Sequence, residues 1–144
     1  MPDLVSRAEV GLDGAFAVLA GIRTEATRRD VALAAVVCDL GGEVVAAQRM
    51  DGAQLAAMAL AIDKAYTAVS FDHPTEAWAE STRPGAGDWG LSTVLGGRIV
   101  VFAGGLPLRR DGRLVGAVGV SGSAAEVDRA CAVAGLQALD FDTV

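Results

Sequence analysis

One histidine and one lysine stand out among the residues that could take part in chemistry. His73 lies in the segment Phe71-Asp72-His73-Pro74. An imidazole titrates near neutral pH, so His73 is a candidate general acid or base, and it is also a candidate axial ligand to a haem iron. A solvated loop residue is the alternative interpretation. The sequence alone leaves these three roles open.

Lys64 lies in a helical stretch that is otherwise almost wholly apolar. A buried ammonium either reaches a carboxylate or releases its proton more easily. Asp63 cannot be its partner on the same helix face, because adjacent helical residues point in different directions. Asp51, or a residue of a neighbouring subunit, is the expected partner. Lys64 and Asp51 therefore join His73 as candidate catalytic residues, with structural pairing as the alternative.

Candidate ligand-binding residues fall into two groups. Arg49 stands beside Asp51 at a strand end, where the two charges predict either a structural ion pair or a polar wall of a pocket. Arg83 and Trp89 lie in the long irregular segment Asp72–Thr93, and long connections of this kind are usually functional or mobile. We expect this segment to line or cover a pocket, with Arg49 or Arg83 holding a carboxylate bidentately.

A third group of candidates, Ser121, Gly122 and Ser123, lies between a strand and the last helix. The amides that open a helix form an anion-friendly corner, which could hold a ligand carboxylate. A simple helix start is the alternative. A nucleophile elbow is disfavoured, because it requires the pattern Gly-x-Ser-x-Gly and the second glycine here stands one position too early.

Hydrophobic periodicity predicts the elements that would position these residues. Apolar residues at helical spacing predict a first helix, alternating or continuous apolar runs bounded by glycines predict strands, and two Ser-x-x-Glu patterns predict capping boxes. The expected elements are a helix over 6–28, strands over 31–40 and 44–50, a helix over 54–71, a short helix near 75–80, strands over 99–103, 106–109 and 114–120, and a helix over 123–139. The turn signals Gly41-Gly42 and Asp111-Gly112 predict two antiparallel hairpins, and Gly116 and Gly119 predict close approach of another element or a ligand to the last strand.

Composition limits the class of protein. The 144 residues fit one domain, spanning 1–144, and 52% of them are hydrophobic. The net charge of −6 argues against partners such as nucleic acid or an anionic membrane surface. The apolar stretch Ala53–Ser70 carries charges, so it predicts a buried helix and not a membrane span. With no signal-like start and with Cys38 and Cys131 expected as free buried thiols, we expect a cytoplasmic protein.

The second predicted helix is apolar nearly all round. Such a helix has to be covered on more than one side. One sheet in a single domain of this size covers only one side, so the sequence predicts that the helix also meets another subunit.

Several separated motifs, taken together, resemble the GlcG/HbpS-like family, including the C-terminal domain of the PduO cobalamin adenosyltransferases. They are Arg49-Met50-Asp51-Gly52-Ala53, the run from Ala61 to Ala68, Gly104-Gly105-Leu106-Pro107-Leu108 with Gly112, the run from Val115 to Gly122, and Asp128. The resemblance implies a profilin-like α/β (α+β) fold with a five-stranded antiparallel sheet flanked by helices, in the order α-β-β-α-β-β-β-α. It also implies homo-oligomers, from dimers up to octamers, and haem as a cofactor of some members.

Three functional hypotheses follow. The first is a homo-oligomer that binds haem or another small molecule, with His73 meeting the iron if haem is bound and with Arg49, Asp51, Lys64 and Trp89 around the pocket. The second is a cofactor-free lyase, isomerase or hydrolase that acts on a small anionic metabolite with His73 as general acid or base. The third is a structural scaffold.

Overall fold

The computed structural model describes residues 1–144 and contains three α-helices and one four-stranded sheet. In chain order the elements are α1 (Leu12–Arg28), β1 (Ala34–Cys38), β2 (Val44–Arg49), α2 (Ala57–Phe71), β3 (Gly105–Arg110), β4 (Arg113–Ser121) and α3 (Ala125–Gln137). Single 3₁₀ turns at Thr75–Trp78, Leu91–Thr93 and Leu95–Gly97 interrupt the long connection between α2 and β3.

The sheet is antiparallel throughout, with the strand order β2-β1-β4-β3. The short turns after β1 and β3 make two hairpins, as the sequence predicts, and β1 joins them by pairing with β4. In the second hairpin Asp111 and Gly112 both have positive φ, the conformation that favours Asp-Gly in tight β-hairpins. The two central strands are therefore β1 and β4.

Helices cover both faces of this sheet. On one face, α1 and α3 enclose the larger apolar core, which includes Val18, Ile22, Val37, Val118 and Leu136. On the other face, α2 presents a row of alanines to β1 and β4. Because alanine side chains are short, the backbone of α2 comes very close to the sheet. The α+β class is as expected.

The expected fifth strand at 99–103 is absent. Ile99 and Val100 are buried, as a strand in that position would be, but they lie against α2 and pair with no strand. The Val100 N–H donates to Thr67 Oγ1 at 3.0 Å, and Thr67 Oγ1 donates to the Arg98 carbonyl at 3.2 Å. A helix side chain thus supplies the hydrogen bonds that a neighbouring strand would have given, so the predicted order with three strands after α2 is wrong.

The ends of the helices also differ from the prediction. Helix α1 begins at Leu12 and not at Ser6, because the Val10 N–H donates to the Val115 carbonyl and holds the preceding segment against β4. The Ser6 capping box does not form. Helix α3 starts without a side-chain cap, although Ser123 and Glu126 match that pattern.

Both cysteines are free and buried, as predicted. Cys38 lies in the central strand β1, where burial raises the pKa of its thiol to about 12. The pKa of Cys131 in α3 is raised for the same reason. None of the helices has the length and apolar character needed to cross a membrane.

Candidate functional site

A buried ion pair joins α2 to α3 past the end of β4. Lys64 Nζ lies 3.1 Å from Asp128 Oδ2, and it also donates to the Val120 carbonyl at 2.9 Å. The other carboxylate oxygen, Asp128 Oδ1, accepts the Ser123 N–H at 2.9 Å. The side chains of Lys64 and Asp128 are only 1% and 2% exposed. Each charged group is therefore satisfied inside the protein.

Two consecutive glycines make room for this pair at the start of β3. A Cβ at Gly104 would stand 2.6 Å from Lys64 Nζ, and a Cβ at Gly105 would stand 2.5 Å from the Lys64 carbonyl oxygen. The buried hydroxyl of Thr75 holds the same stretch, since it donates to the Phe102 carbonyl at 2.6 Å and accepts the Gly105 N–H at 3.0 Å. The Gly-Gly motif is thus explained by the close approach of Lys64, through its side chain at Gly104 and through its backbone at Gly105.

Burial dominates the electrostatics of the ion pair. Removal from water lowers the pKa of the Lys64 ammonium and raises the pKa of the Asp128 carboxyl, and the attraction between the two charges offsets part of each change. A buried ion pair of this kind is well suited to linking α2 to α3. The two groups are poorly placed to meet a ligand, because almost none of their surface is accessible.

An aromatic corner lies where α2 ends. It consists of Phe71, His73 and Trp78, with the Trp78 ring 4.9 Å from the Phe71 centroid and 5.9 Å from the His73 centroid, both edge-on. The His73 side chain is exposed, whereas Phe71 and Trp78 are half-buried. Trp78 Nε1 is buried and has no hydrogen-bond partner. This corner is the place where the only imidazole of the chain faces solvent beside two aromatic rings.

Two arginines anchor the aromatic corner to the rest of the fold. Arg109 Nε donates to Asp72 Oδ1 at 2.7 Å, and its Nη2 donates to the Asp72 carbonyl. Arg129 Nε donates to Glu76 Oε1 at 2.5 Å, while Glu76 Oε2 is buried without a partner. The corner is thereby tied to β3 and to α3 through two arginines, each paired with a carboxylate.

The predicted site residues do not meet in one pocket. Arg49 and Asp51 are exposed and border a cleft between α1 and the end of β2, which neither Lys64 nor His73 lines. The prediction that Asp51 is the partner of Lys64 is wrong, because Asp128 of the same chain takes that place.

The remaining candidates are also dispersed. Arg83 forms a surface ion pair with Glu80 at 2.9 Å, and Trp89 is 68% exposed. At the start of α3, the Ser123 amide already binds a carboxylate, that of Asp128, while Ser121 is buried and Gly122 has positive φ. The anion-friendly corner of the sequence prediction is thus occupied by the chain itself.

Sequence reasoning missed the residues that organise this region: Thr75, Glu76, Trp78, Arg109 and Arg129. They come from a 3₁₀ turn, a strand and a helix that are distant in sequence, so no local spacing relates them. Asp128 could have been found from the sequence, because it is a lone acidic residue on the inner face of α3. No group of three or more His, Cys, Asp or Glu residues is arranged to hold a metal ion.

Comparison with known proteins settles the relationship that the motifs suggest. The family model described as haem degrading protein HbpS-like matches residues 10–137. The chain belongs to the HbpS-like family. Among relatives of this HbpS-like chain, an uncharacterized 15.0 kDa protein from Citrobacter freundii, encoded between dhaT and dhaS, is 36% identical over 122 residues, which cover 85% of this chain and 86% of the relative.

Solved structures of similar proteins share the complete fold. The ORFY protein of Klebsiella pneumoniae has a TM-score of 0.95 at 31% identity and is covered over 97% of each chain. A structure described as a PduOC:heme complex has a TM-score of 0.90 at 30% identity, covering 94% of this HbpS-like chain and 99% of the other. This chain therefore shares its overall α+β fold with these two proteins.

Proposed function

We propose that this chain is a haem-binding protein that acts as a homo-oligomer, in which His73 would hold the haem iron. The observation that carries the proposal is the aromatic corner, in which an exposed imidazole stands beside Phe71 and Trp78. The haem complex of a structural neighbour with 30% identity supports the same cofactor. The Lys64–Asp128 pair serves the fold in this proposal and does not touch the ligand.

The residues of the corner fit one face of a haem. Haem iron is commonly held by an imidazole, and the macrocycle needs an apolar surface. His73 supplies the imidazole, and Phe71 and Trp78 supply the apolar surface. Arg109 and Arg129, which are paired with Asp72 and Glu76, would hold the corner in place beneath the ligand. Bound haem would bring a redox-active iron, and the chain would orient and shield it.

A haem also has a second face, which this corner leaves open. Neither the cleft beside Arg49 nor the groove beside the N-terminal segment is lined by His73. A second copy of the chain is the simplest cover for the open face.

We expect a titration of the purified protein with haemin to give a saturable shift of the Soret band. The variant His73→Ala should lose the saturable shift, because the chain contains no other histidine. Phe16→Ala is the matched control, since Phe16 is an exposed aromatic residue on α1 at the other face of the sheet. Absence of a saturable shift in the wild type, or an equal shift in His73→Ala, would contradict the proposal.

The first half of α2 supports a homo-oligomer. Arg98 covers the later part of this helix, since its guanidinium lies 3.7 Å from the Tyr66 ring centroid and Nε donates to Asp63 Oδ1 at 3.0 Å. Nothing comparable covers the beginning of the helix. The apolar residues with accessible surface there are Leu55 and Ala56, just before the helix, and Met58, Ala59, Leu60 and Ile62 within it. A contiguous apolar surface of this kind is typical of a protein interface.

We expect light scattering after size exclusion to give a mass of at least two chains. Leu55→Glu should lower this mass, because it places a charge in the proposed interface at a side chain that is 94% exposed in one chain. Leu4→Glu is the matched control, as Leu4 is 89% exposed in the N-terminal segment. A monomeric wild type would refute the interface, as would a Leu55→Glu variant that keeps the wild-type mass.

A further inference from the structure

Residues 80–97 form an arm between the aromatic corner and β3 that takes no part in either core. No residue between Thr75 and Ile99 is buried. The hydrogen bonds of the arm join only residues 78–98, so none of them reaches an α-helix or the sheet. Its 3₁₀ turns at Leu91–Thr93 and Leu95–Gly97 approach each other and no other helix or strand. The arm is therefore supported in one chain only by its own turns.

The second half of the arm carries apolar side chains that are exposed in a single chain. Trp89 is 68% exposed, and Val94 and Leu95 are 47% and 55% exposed. No charged residue occurs from residue 89 to residue 97. Ordering a chain segment costs conformational entropy, and burial of apolar surface is the usual compensation. Because the arm buries none of these side chains in its own chain, a further surface is needed to cover them.

The first half of α2 is a surface of matching chemistry. Leu55, just before the helix, and Met58 and Ile62 within it have accessible apolar side chains, and no charged residue occurs from residue 53 to residue 62. Interface cores are depleted of charge and enriched in aromatic residues, so Trp89 suits this surface. The arm of the same chain does not cover it, because its turns stay away from α2 and Arg98 rejoins the helix only at its later part.

We infer that the arm of one copy packs on the first half of α2 of a second copy, with Trp89 as the anchor. The inference rests on the homo-oligomer of the proposed function and names the two surfaces that meet in it. Two copies related by a twofold axis make this contact twice, so each arm and each helix is covered at once. A tryptophan at the centre of an interface commonly contributes a large share of the binding energy. The segment that the sequence predicts to line or cover a pocket would thus cover a helix of the second copy.

Opposite charges placed on the two surfaces test this exchange by light scattering after size exclusion. We expect Trp89→Arg to weaken self-association by at least about tenfold and to lower the mass, as is expected of Leu55→Glu, because each variant places a charge in an uncharged contact. An equimolar mixture of the two variants should recover the wild-type mass. In the mixed pair one arm–helix contact is unchanged, and in the other the new arginine faces the new glutamate. Contacts between two arms or between two helices would give no such recovery.

Phe16→Arg is the matched control, since Phe16 is an aromatic residue that is 55% exposed on α1 at the other face of the sheet. It should keep the wild-type mass, and mixing it with Leu55→Glu should not restore the mass of that variant. Circular dichroism of each variant shows that the fold is intact. The inference is overturned if Trp89→Arg keeps the wild-type mass or if the mixture of Trp89→Arg and Leu55→Glu stays at the lower mass. An oligomeric wild type in that case leaves the homo-oligomer proposal standing, whereas a monomeric wild type overturns both.

Discussion

Replacement of Lys64 by methionine is expected to lower the free energy of unfolding by about 3–5 kcal/mol, the usual cost of leaving one partner of a buried ion pair alone. In the wild type, Lys64 Nζ is the charge that faces Asp128 Oδ2 at 3.1 Å, and both side chains are almost fully buried. Methionine has a similar length and no charge, so the variant keeps the packing and isolates the electrostatic loss. Urea denaturation at neutral pH measures this loss in the free energy of unfolding.

A double variant separates the ion pair from general damage to the core. Lys64→Met with Asp128→Asn removes both charges, and the new amide side chain would keep an oxygen that can accept the Ser123 N–H. We expect this double variant to recover most of the lost stability. Arg83→Met, which breaks an exposed pair with Glu80, should have almost no effect. A loss in the double variant as large as that in Lys64→Met would show that the charges are not the cause.

The loss of stability in Lys64→Met should depend on pH. Burial already raises the pKa of Asp128 in the wild type, and removal of the ammonium raises it further. A carboxyl with a raised pKa binds its proton more tightly in the folded state, so folding becomes less favourable as the pH rises from the unfolded pKa of 3.8. The stability difference between wild type and variant should therefore narrow from pH 7 towards pH 4. A stability difference that stays constant between pH 7 and pH 4 would contradict the proposal that the unpaired Asp128 carboxylate causes the loss.

A methyl group at Gly119 is expected to destabilise the protein by about 3 kcal/mol, at the upper end of the range for overpacking. Gly119 lies in β4 beneath α2, and a Cβ there would stand 2.0 Å from the Ala61 carbonyl oxygen and 2.6 Å from the Ala65 nitrogen. Both atoms belong to the helix backbone, so no side-chain rotation can relieve the clash. Thermal and urea unfolding of Gly119→Ala measure the effect.

Gly87→Ala is the control for this prediction, because Gly87 has ordinary φ and a Cβ there would contact nothing within 4 Å. We expect its stability to stay within about 0.5 kcal/mol of the wild type. A Gly119→Ala variant as stable as Gly87→Ala would show that α2 lies farther from the sheet in solution than this structure places it.

The sequence predicted most helices and strands well, because the signals for them are local. The first hairpin follows from Gly41-Gly42 between two apolar runs, and the second from Asp111-Gly112. Close approach at Gly116 and Gly119 was also predicted, and the short distances at both positions confirm it. The strand predicted over 99–103 does not form. Burial alone does not show whether an apolar run lies against a strand or a helix.

The candidate site was less predictable because it is assembled from distant segments. The sequence predicted that Lys64 either reaches a carboxylate or releases its proton more easily, and it named Asp51 or a neighbouring subunit as the source of the carboxylate. Asp128 is selected only by the fold, which places α2 and α3 on opposite faces of the sheet and lets the two side chains meet past the end of β4. Likewise, nothing in the local pattern of His73 indicates that Trp78 stands beside it, since a 3₁₀ turn brings the two rings together.

Burial of Lys64 also decides how the protein responds to amine chemistry. Lys64 is the only lysine in the chain, and the other eleven of its 12 basic residues are arginines. Reagents and enzymes that acylate lysine require an accessible, deprotonated ε-amine, and in the folded chain this amine is enclosed and hydrogen-bonded to Val120 and Asp128. Acylation of Lys64 therefore measures the fraction of molecules that have unfolded, and the native surface presents no lysine side chain to such reagents.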